Sequence, residues 1–431
     1  GTVCAIRDTA DIERFVDGAI LVTGMTDPDW VPIMKRAAGI ITDHGGTTSH
    51  AAIVSRELGV PAIVGTGHGT EILHNGREVT LSCAEGDQGV VYDGILPFET
   101  SEVDLSNLPE TNTAMMVNVA SPSAAFHWWR LPTQGVGLAR MEFIINTLIK
   151  IHPMALIHPD RVDDAAAQHE IRAMTRSYEN PIEFFVETLA PYHPHPVIVR
   201  LSDFKTNEYA HLIGGSAFEP EEENPMLGWR GASRYYDERY RAGFALECRA
   251  LKKVREDIGM TNIIIMVPFC RTLEEADRVL AEMAGNGLER GQAGLEVYMM
   301  SEIPANVFLA EEFATRFDGF SIGSNDLTQL TLGIDRDSGD LAPLFDERNE
   351  AVKRAIREVI AKAHKVGIKI GICGQAPSNY PEFAAFLVEE GIDSISLNPD
   401  SFVATLRHVA SVEKALQTAS GKSARGLGAE K

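Results

Sequence analysis

Residues 295–326 read LEVYMMSEIPANVFLAEEFATRFDGFSIGSND. A short apolar run, LEVYMM, stops at Ser301 and Glu302; a helical stretch follows; a second apolar run, GFSIG, stops at Ser324, Asn325 and Asp326. This is the pattern of a buried strand, a crossover helix and the next strand, with polar side chains collected at the same end of both strands. The pattern repeats outward in both directions. AMMVNV, GVGLA, VIVRL and IIIMVPF precede the stretch, and KIGIC and SISLN follow it. Eight such units over residues 113–420 match the count and size of a (β/α)8 TIM-type barrel. A doubly wound sheet is the competing arrangement of the same elements, and the polar residues at corresponding strand ends favour the barrel.

Ahead of the barrel, residues 1–93 alternate short β-like runs (AILVT, AGIIT, PAIVG, EVTLSC, GVVY) with helical stretches such as DWVPIMKRAA and SHAAIVSREL. That composition predicts a compact α/β domain. Residues 94–112, GILPFETSEVDLSNLPETN, contain two prolines, several acids and no periodicity, as a linker would. The end of the chain, 421–431, is polar and Gly-rich and reads as a frayed tail. No internal repeat of solenoid type is visible.

A formal net charge of −22 argues against nucleic-acid binding, which depends on clustered Lys and Arg. No apolar run approaches the ~20 residues of a membrane helix. Five cysteines, at 4, 83, 248, 270 and 373, show neither zinc-ligand nor disulfide-framework spacing, so a reducing, cytoplasmic setting is expected. The chain opens on Gly1 rather than Met and is read as part of a longer protein. It carries no Walker-type phosphate loop.

Two constellations carry chemistry. The first is DHGGTTSHAAIVSRELGVPAIVG, beginning at Asp43. Gly45 and Gly46 allow a tight turn, and Thr48 or Ser49 can cap the helix that follows. His50 then falls in the first helical turn, where unpaired N–H groups and the helix dipole favour an anion such as a phosphoryl group on the ring. An early helical residue with no further role is the plain alternative, for His44 as for His50. The second constellation is the set of residues closing the strands: Arg140 after GVGLA, Arg200 within VIVRL with Asp203 after it, Ser301 and Glu302, Ser324, Asn325 and Asp326, and Cys373 ending KIGIC. Glu302 and Asp326 are hard donors suited to one Mg2+. Arg140 and Arg200 can grip carboxylate or phosphoryl oxygens in bidentate fashion, and Cys373 can move a proton to or from carbon. Singly, each has a structural explanation: an ion-pair partner, a helix-start acid, a small core residue.

GGTTSHAAI followed by RELGVPAIVG resembles the phosphohistidine signature of the phosphoenolpyruvate (PEP)-utilising enzymes. GVGLARMEF, VIVRLSDFKTNEYA, EEENPMLGWRGASR, MMSEIP, SIGSNDLTQLTLGIDRDSG and GICGQ are similar to that family's successive blocks, in order. The resemblance implies a swivelling phosphohistidine domain joined to a PEP/pyruvate barrel, with His50 the phosphoryl carrier and His44 a bystander. It implies substrate binding by Arg140, Arg200, Arg230, Gly323, Ser324, Asn325 and Arg336, with Glu302 and Asp326 binding both magnesium and ligand. Cys373 would be the proton donor to the enol carbon. Thr48 matches a threonine phosphorylated by a dedicated regulatory kinase, and a plain helix cap is the other reading of it.

VTGMTDPDWVPIMKRAAGIITDHGG and DFKTNEYAHLIGG are closer to the family's synthase branch than to its dikinases. No all-helical insertion of the sugar-phosphotransferase carriers interrupts the histidine region. The implied overall reaction converts ATP, pyruvate and water to AMP, PEP and phosphate, with an N-terminal nucleotide-binding domain supplied outside this chain and the linker letting the histidine domain swing. A dikinase, a PEP-dependent phosphocarrier or an inactive regulatory relic are the alternatives. Family members are commonly dimers through the barrel, so a homodimer is expected.

Overall fold

The computed structural model describes residues 1–46, 49–83, 89–98, 105, 107–119, 128, 130–177, 195–335 and 341–426, with backbone alone at 147–148, 173–177, 342 and 420–426. Its contacts divide into two compact units: Gly1–Asp104 with Leu332–Asp346, and Leu105–Thr331 with Glu347–Lys431.

The smaller unit is built on a parallel sheet of β1 (Val3–Ala5), β2 (Ile20–Thr23), β3 (Gly39–Thr42) and β4 (Ala62–Ile63), in that order. Alternation along the strands buries both faces, as parallel sheets require. Leu21 and Ile40 join Phe15, Trp30, Ile33, Met34 and Val54 in one core, while Ile20, Val22 and Ile41 join Val3, Leu73 and Val79 in the other. An antiparallel hairpin, β5 (Val79–Ser82) with β6 (Val90–Asp93), adds to the second. Strand β1 was not among the expected runs. The helix expected over DWVPIMKRAA is reduced to a 3-10 turn, Pro28–Trp30, and one α-turn, Val31–Met34, each opened by a proline at its first or second position.

The larger unit is a closed barrel of eight parallel strands: β7 (Ala114–Val119), β8 (Val136–Arg140), β9 (Val197–Arg200), β10 (Ile263–Val267), β11 (Val297–Ser301), β12 (Gly319–Ile322), β13 (Lys369–Ile372) and β14 (Ser394–Leu397). Each strand overlaps one of the eight predicted runs, and β14 pairs β7 to close the ring, which rules out the open doubly wound sheet. Leu138, Ile198, Met266, Tyr298, Met300 and Cys373 pack together, taken at alternate positions from neighbouring strands as a barrel interior demands. Both the β7–β8 and the β8–β9 pairing shift register just after Val136, at Gly137, where a Cβ would meet Ser396 Cβ at 2.5 Å. The final helix, Phe402–Gly426, extends into the segment expected to be a tail. Among the described residues no helix is long and apolar enough to cross a membrane, and all five cysteines are free.

Candidate active site

His50 opens the helix His50–Leu58, whose inner face is Ala51, Ala52, Val54 and Ser55. Ser49 is the N-cap residue, with the extended backbone that position needs (φ −69°, ψ 162°), yet its hydroxyl makes no capping hydrogen bond. Thr48 lies outside the described residues. Gly45 has φ +108°, and a Cβ there would sit 2.7 Å from Ser49 Oγ, so the turn into the helix needs glycine. Thr26, which follows β2, brings its Oγ1 within 3.1 Å of His50 Nδ1 and fixes the ring from that side. Asp43 directly follows β3, at the start of the same turn. Its carboxylate accepts from Thr66 Oγ1 (3.0 Å), the Thr70 N–H (3.1 Å) and Thr70 Oγ1. Burial raises the Asp43 pKa, but these bonds from Thr70 and Thr66 prevail and hold it below the ordinary aspartate value. His44 is exposed.

In the barrel, the carboxyl ends of the strands gather charged groups that sit far apart in sequence. Asp203, Glu302 and Asp326 are all buried, with carboxylate oxygens within 4.8 Å of one another. Arg230 is threaded among them. Its Nη2 is 2.6 Å from Asp203 Oδ2 and 3.1 Å from Asp326 Oδ2, and its guanidinium lies 4.0 Å above the Phe269 ring. Arg200, the last residue of β9, approaches Asp203 at 3.7 Å and is hydrogen-bonded to Glu142. Its Nε is a buried donor with no hydrogen-bond partner among the described residues. Arg140 ends β8, its guanidinium 5.7 Å from the Phe143 ring.

The electrostatics follow from this crowding. Burial pushes the Glu302 carboxyl up, and neighbouring Asp326 and Asp203 push it well above the carboxylate range, more than Arg230 and Arg200 pull it down. Asp203, although desolvated, is held below its ordinary value by Arg230 and Arg200. Three buried hard-oxygen donors against two guanidinium groups leave an acid that is unfavourable to ionise. A divalent cation among them would relieve that repulsion, so the donor set fits one. Glu302 Oε1 accepts the Phe269 N–H at 2.7 Å, and Phe269 takes φ +47° to deliver it, a conformation that costs energy in a non-glycine residue. Gly323 makes room for Glu302, because a Cβ there would stand 2.8 Å from Glu302 Oε2.

Cys373 follows β13 and is 3% exposed. Burial raises its thiol pKa, against the pull of a hydrogen bond from Ser321 and of Arg200 and Arg140, so the thiol carries its proton at neutral pH. Ser324 and Asn325 open the helix Ser324–Leu332. Ser324 Oγ is bonded to Glu347, and Asn325 Oδ1 accepts the Gln375 N–H at 3.4 Å. Arg336 lies outside the described residues.

The barrel mouth thus brings together Arg140, Arg200, Arg230, Glu302, Gly323, Asp326 and Cys373. Three neighbours were not assigned roles from sequence: Asp203 as a third carboxylate, Glu142 as the partner of Arg200, and Thr26 beside His50. The first two had a signal, lying three residues after Arg200 and two after Arg140. Nothing in MTDPDW marks Thr26.

A parallel β-barrel with acids, arginines and a thiol at its carboxyl ends, accompanied by a histidine at a helix N-terminus in a separate α/β unit, defines a class. The chain belongs to the PEP-utilising enzymes. The family profile for the PEP-utilising enzyme, PEP-binding domain, matches residues 100–414, and that for the PEP-utilising enzyme, mobile domain, matches residues 15–86. It is 57% identical over 426 residues to the phosphoenolpyruvate synthase of Synechocystis sp., covering 96% of this chain and 52% of that protein. It is 50% identical to the phosphoenolpyruvate synthase of Aquifex aeolicus, over 96% of this chain and 55% of the relative. It is 52% identical to that of Neisseria meningitidis serogroup B, over 95% and 52%. The chain therefore spans about half the length of the curated relatives it matches.

Proposed function

We propose that the chain carries the pyruvate half of a PEP-forming phosphotransferase of the pyruvate, water dikinase type, with His50 as phosphoryl carrier. The observation that carries this reading is the buried Asp203, Glu302 and Asp326 cluster, flanked by Arg200 and Arg230 and accompanied by a protonated Cys373. An acidic site with fixed guanidinium groups suits a divalent cation together with a ligand rich in anionic oxygens.

Glu302 and Asp326, with Asp203 beside them, would hold Mg2+, which supplies charge neutralisation toward the ligand's oxygens when bound. Arg140, Arg200 and Arg230 bind the carboxylate and phosphoryl oxygens, with Ser324, Asn325 and the backbone at Gly323 lining the site and Arg336 assigned to the same role. In the direction of PEP consumption, the His50 lone pair attacks phosphorus and the bond from phosphorus to the enol oxygen breaks, leaving the electron pair on oxygen as an enolate. The Cys373 thiol then gives its proton to the terminal carbon, yielding pyruvate and a thiolate that solvent reprotonates. Reversal of both steps makes PEP.

Charging of His50 from ATP is assigned to a nucleotide-binding domain in the longer protein. The reading also includes a cytoplasmic location, a homodimer, and a regulatory kinase acting on Thr48, where a phosphate would place about two negative charges next to the carrier.

The test is incubation of the purified chain with labelled PEP and Mg2+. Acid-labile, base-stable label on the wild type, none on His50→Ala, and slowed protonation of the pyruvate methyl group in Cys373→Ala are expected. No label on the wild type would overturn the reading.

A further inference from the structure

Directly between Arg200 and Asp203 in the chain, Ser202 is fully buried, and all of its polar groups are engaged. Its N–H donates to Glu247 Oε2 at 3.1 Å, and its carbonyl accepts from Tyr235 Oη at 2.8 Å. Its hydroxyl belongs to a closed ring of four oxygens. Ser202 Oγ is 2.5 Å from Glu247 Oε1 and 2.8 Å from Tyr209 Oη, Tyr209 Oη is 2.7 Å from Tyr240 Oη, and Tyr240 Oη returns to Glu247 Oε1 at 3.0 Å. Tyr209, Tyr235 and Tyr240 are 0% exposed and Glu247 is 5% exposed, so the ring lies out of water's reach.

The ring can be counted in protons. Four contacts of hydrogen-bond length need four protons, and the three hydroxyls supply three. With an ionised Glu247, one pair of oxygens at 2.5–3.0 Å would face each other with no proton between them. With a protonated carboxyl, each oxygen donates once and accepts once round the ring, while Oε2 remains the acceptor for the Ser202 N–H. The surrounding charges agree with this. The guanidinium that bears on Glu247 is Arg234, which is paired with Glu219 and has its face over Tyr209 at 4.3 Å. Burial accordingly raises the Glu247 carboxyl above its ordinary value, against the pull of the Ser202 and Tyr240 hydrogen bonds and of Arg234.

We propose that Glu247 is a neutral carboxylic acid that closes this four-proton ring and acts as a positioning residue, locking Ser202 and so the relative placement of Arg200 and Asp203. The positioning part rests on the reading of the barrel mouth as the PEP site; the protonation state does not. In the purified chain at neutral pH, the infrared spectrum should contain a deuterium-sensitive band of a protonated carboxyl that disappears in Glu247→Gln. Its absence from a folded wild type would overturn the ring.

In the labelling reaction with PEP, Glu247→Gln keeps a neutral group whose amide nitrogen donates into the ring and whose oxygen accepts the Ser202 N–H, and should retain KM within about threefold, while Ser202→Ala breaks the ring and should raise KM about tenfold, the loss of roughly one buried hydrogen bond. Equal KM for wild type and Ser202→Ala would overturn the positioning role. Failure of the wild type to take label would overturn the proposed function and leave the infrared result to decide the ring.

Discussion

Arg230 Nη2 lies between two carboxylates, 2.6 Å from Asp203 and 3.1 Å from Asp326, with all three side chains buried. The guanidinium is a built-in counter-ion for an acid cluster. Burial alone would lower its pKa, but Asp203 and Asp326 keep it firmly charged. Replacing it with an apolar side chain leaves buried carboxylates uncompensated, a loss of about 3–5 kcal/mol where such pairs are broken. Arg230→Met should therefore lower the thermal midpoint, and Mg2+ should recover more of the loss in the variant than it adds to the wild type. Calorimetry with and without Mg2+ checks this.

Gly323 bears on the proposed cation site through Glu302. A methyl group at 323 meets Glu302 Oε2 at 2.8 Å and Glu302 Cβ at 2.9 Å, so the carboxylate has to move. Gly323→Ala should weaken divalent-cation binding about 10- to 100-fold, the scale seen when ligand supports are disturbed. Titration with Mn2+ followed by electron paramagnetic resonance would measure it.

Thr26 Oγ1 lies 3.1 Å from His50 Nδ1, a hydrogen bond that orients the ring. Thr26→Val should slow formation of phosphohistidine from PEP by about tenfold, and Thr26→Ser should restore it. Unchanged labelling in the valine variant would separate Thr26 from the chemistry of His50.

Asp43 supplies a pH dependence with a defined sign. Its folded-state pKa lies below 3.8 because of the bonds from Thr70 and Thr66, which overcome the effect of burial. A depressed carboxyl contributes stability above its unfolded value and loses it as pH falls through the folded value. The Asp43→Asn variant should thus be less stable than wild type at neutral pH, with the difference closing in acid below pH 3.8. Denaturant unfolding at a series of pH values tests the convergence.

The barrel was legible because each strand is a short apolar run ended by a polar residue, and eight of them leave few ways to bury both faces. The residues gathered at its mouth were legible where one ends a strand or follows directly on it, as with Arg140, Glu302 and Cys373. Arg230 escapes that rule. It arrives on a long connection after β9, anchored by Arg234 on Glu219 and by the Trp229 N–H on Glu222, and the resemblance alone drew attention to it. Asp203 was visible but unassigned, since spacing cannot tell an acid that joins a buried carboxylate cluster from one paired with arginine, and here it does both. Strand β1 is three residues long, too short for a periodicity to register. The protonation of Glu247 lies beyond any one-dimensional pattern, because it depends on four oxygens from separate segments.

The barrel is fastened where its chain begins and ends. The Glu413 carboxylate, on the last helix, accepts the N–H groups of Asn112 and Thr113 at 2.8 and 2.9 Å, just before β7 enters its pairing with β14. Those contacts span 301 and 300 residues. Closing so long a loop costs chain entropy before any contact repays it, and folds dominated by such contacts assemble slowly. The residues of the mouth come from strands on both sides of that seam, so the complete constellation exists only in the closed ring. A ligand that needs the whole set, as the proposed one does, would therefore report finished folding rather than its stages.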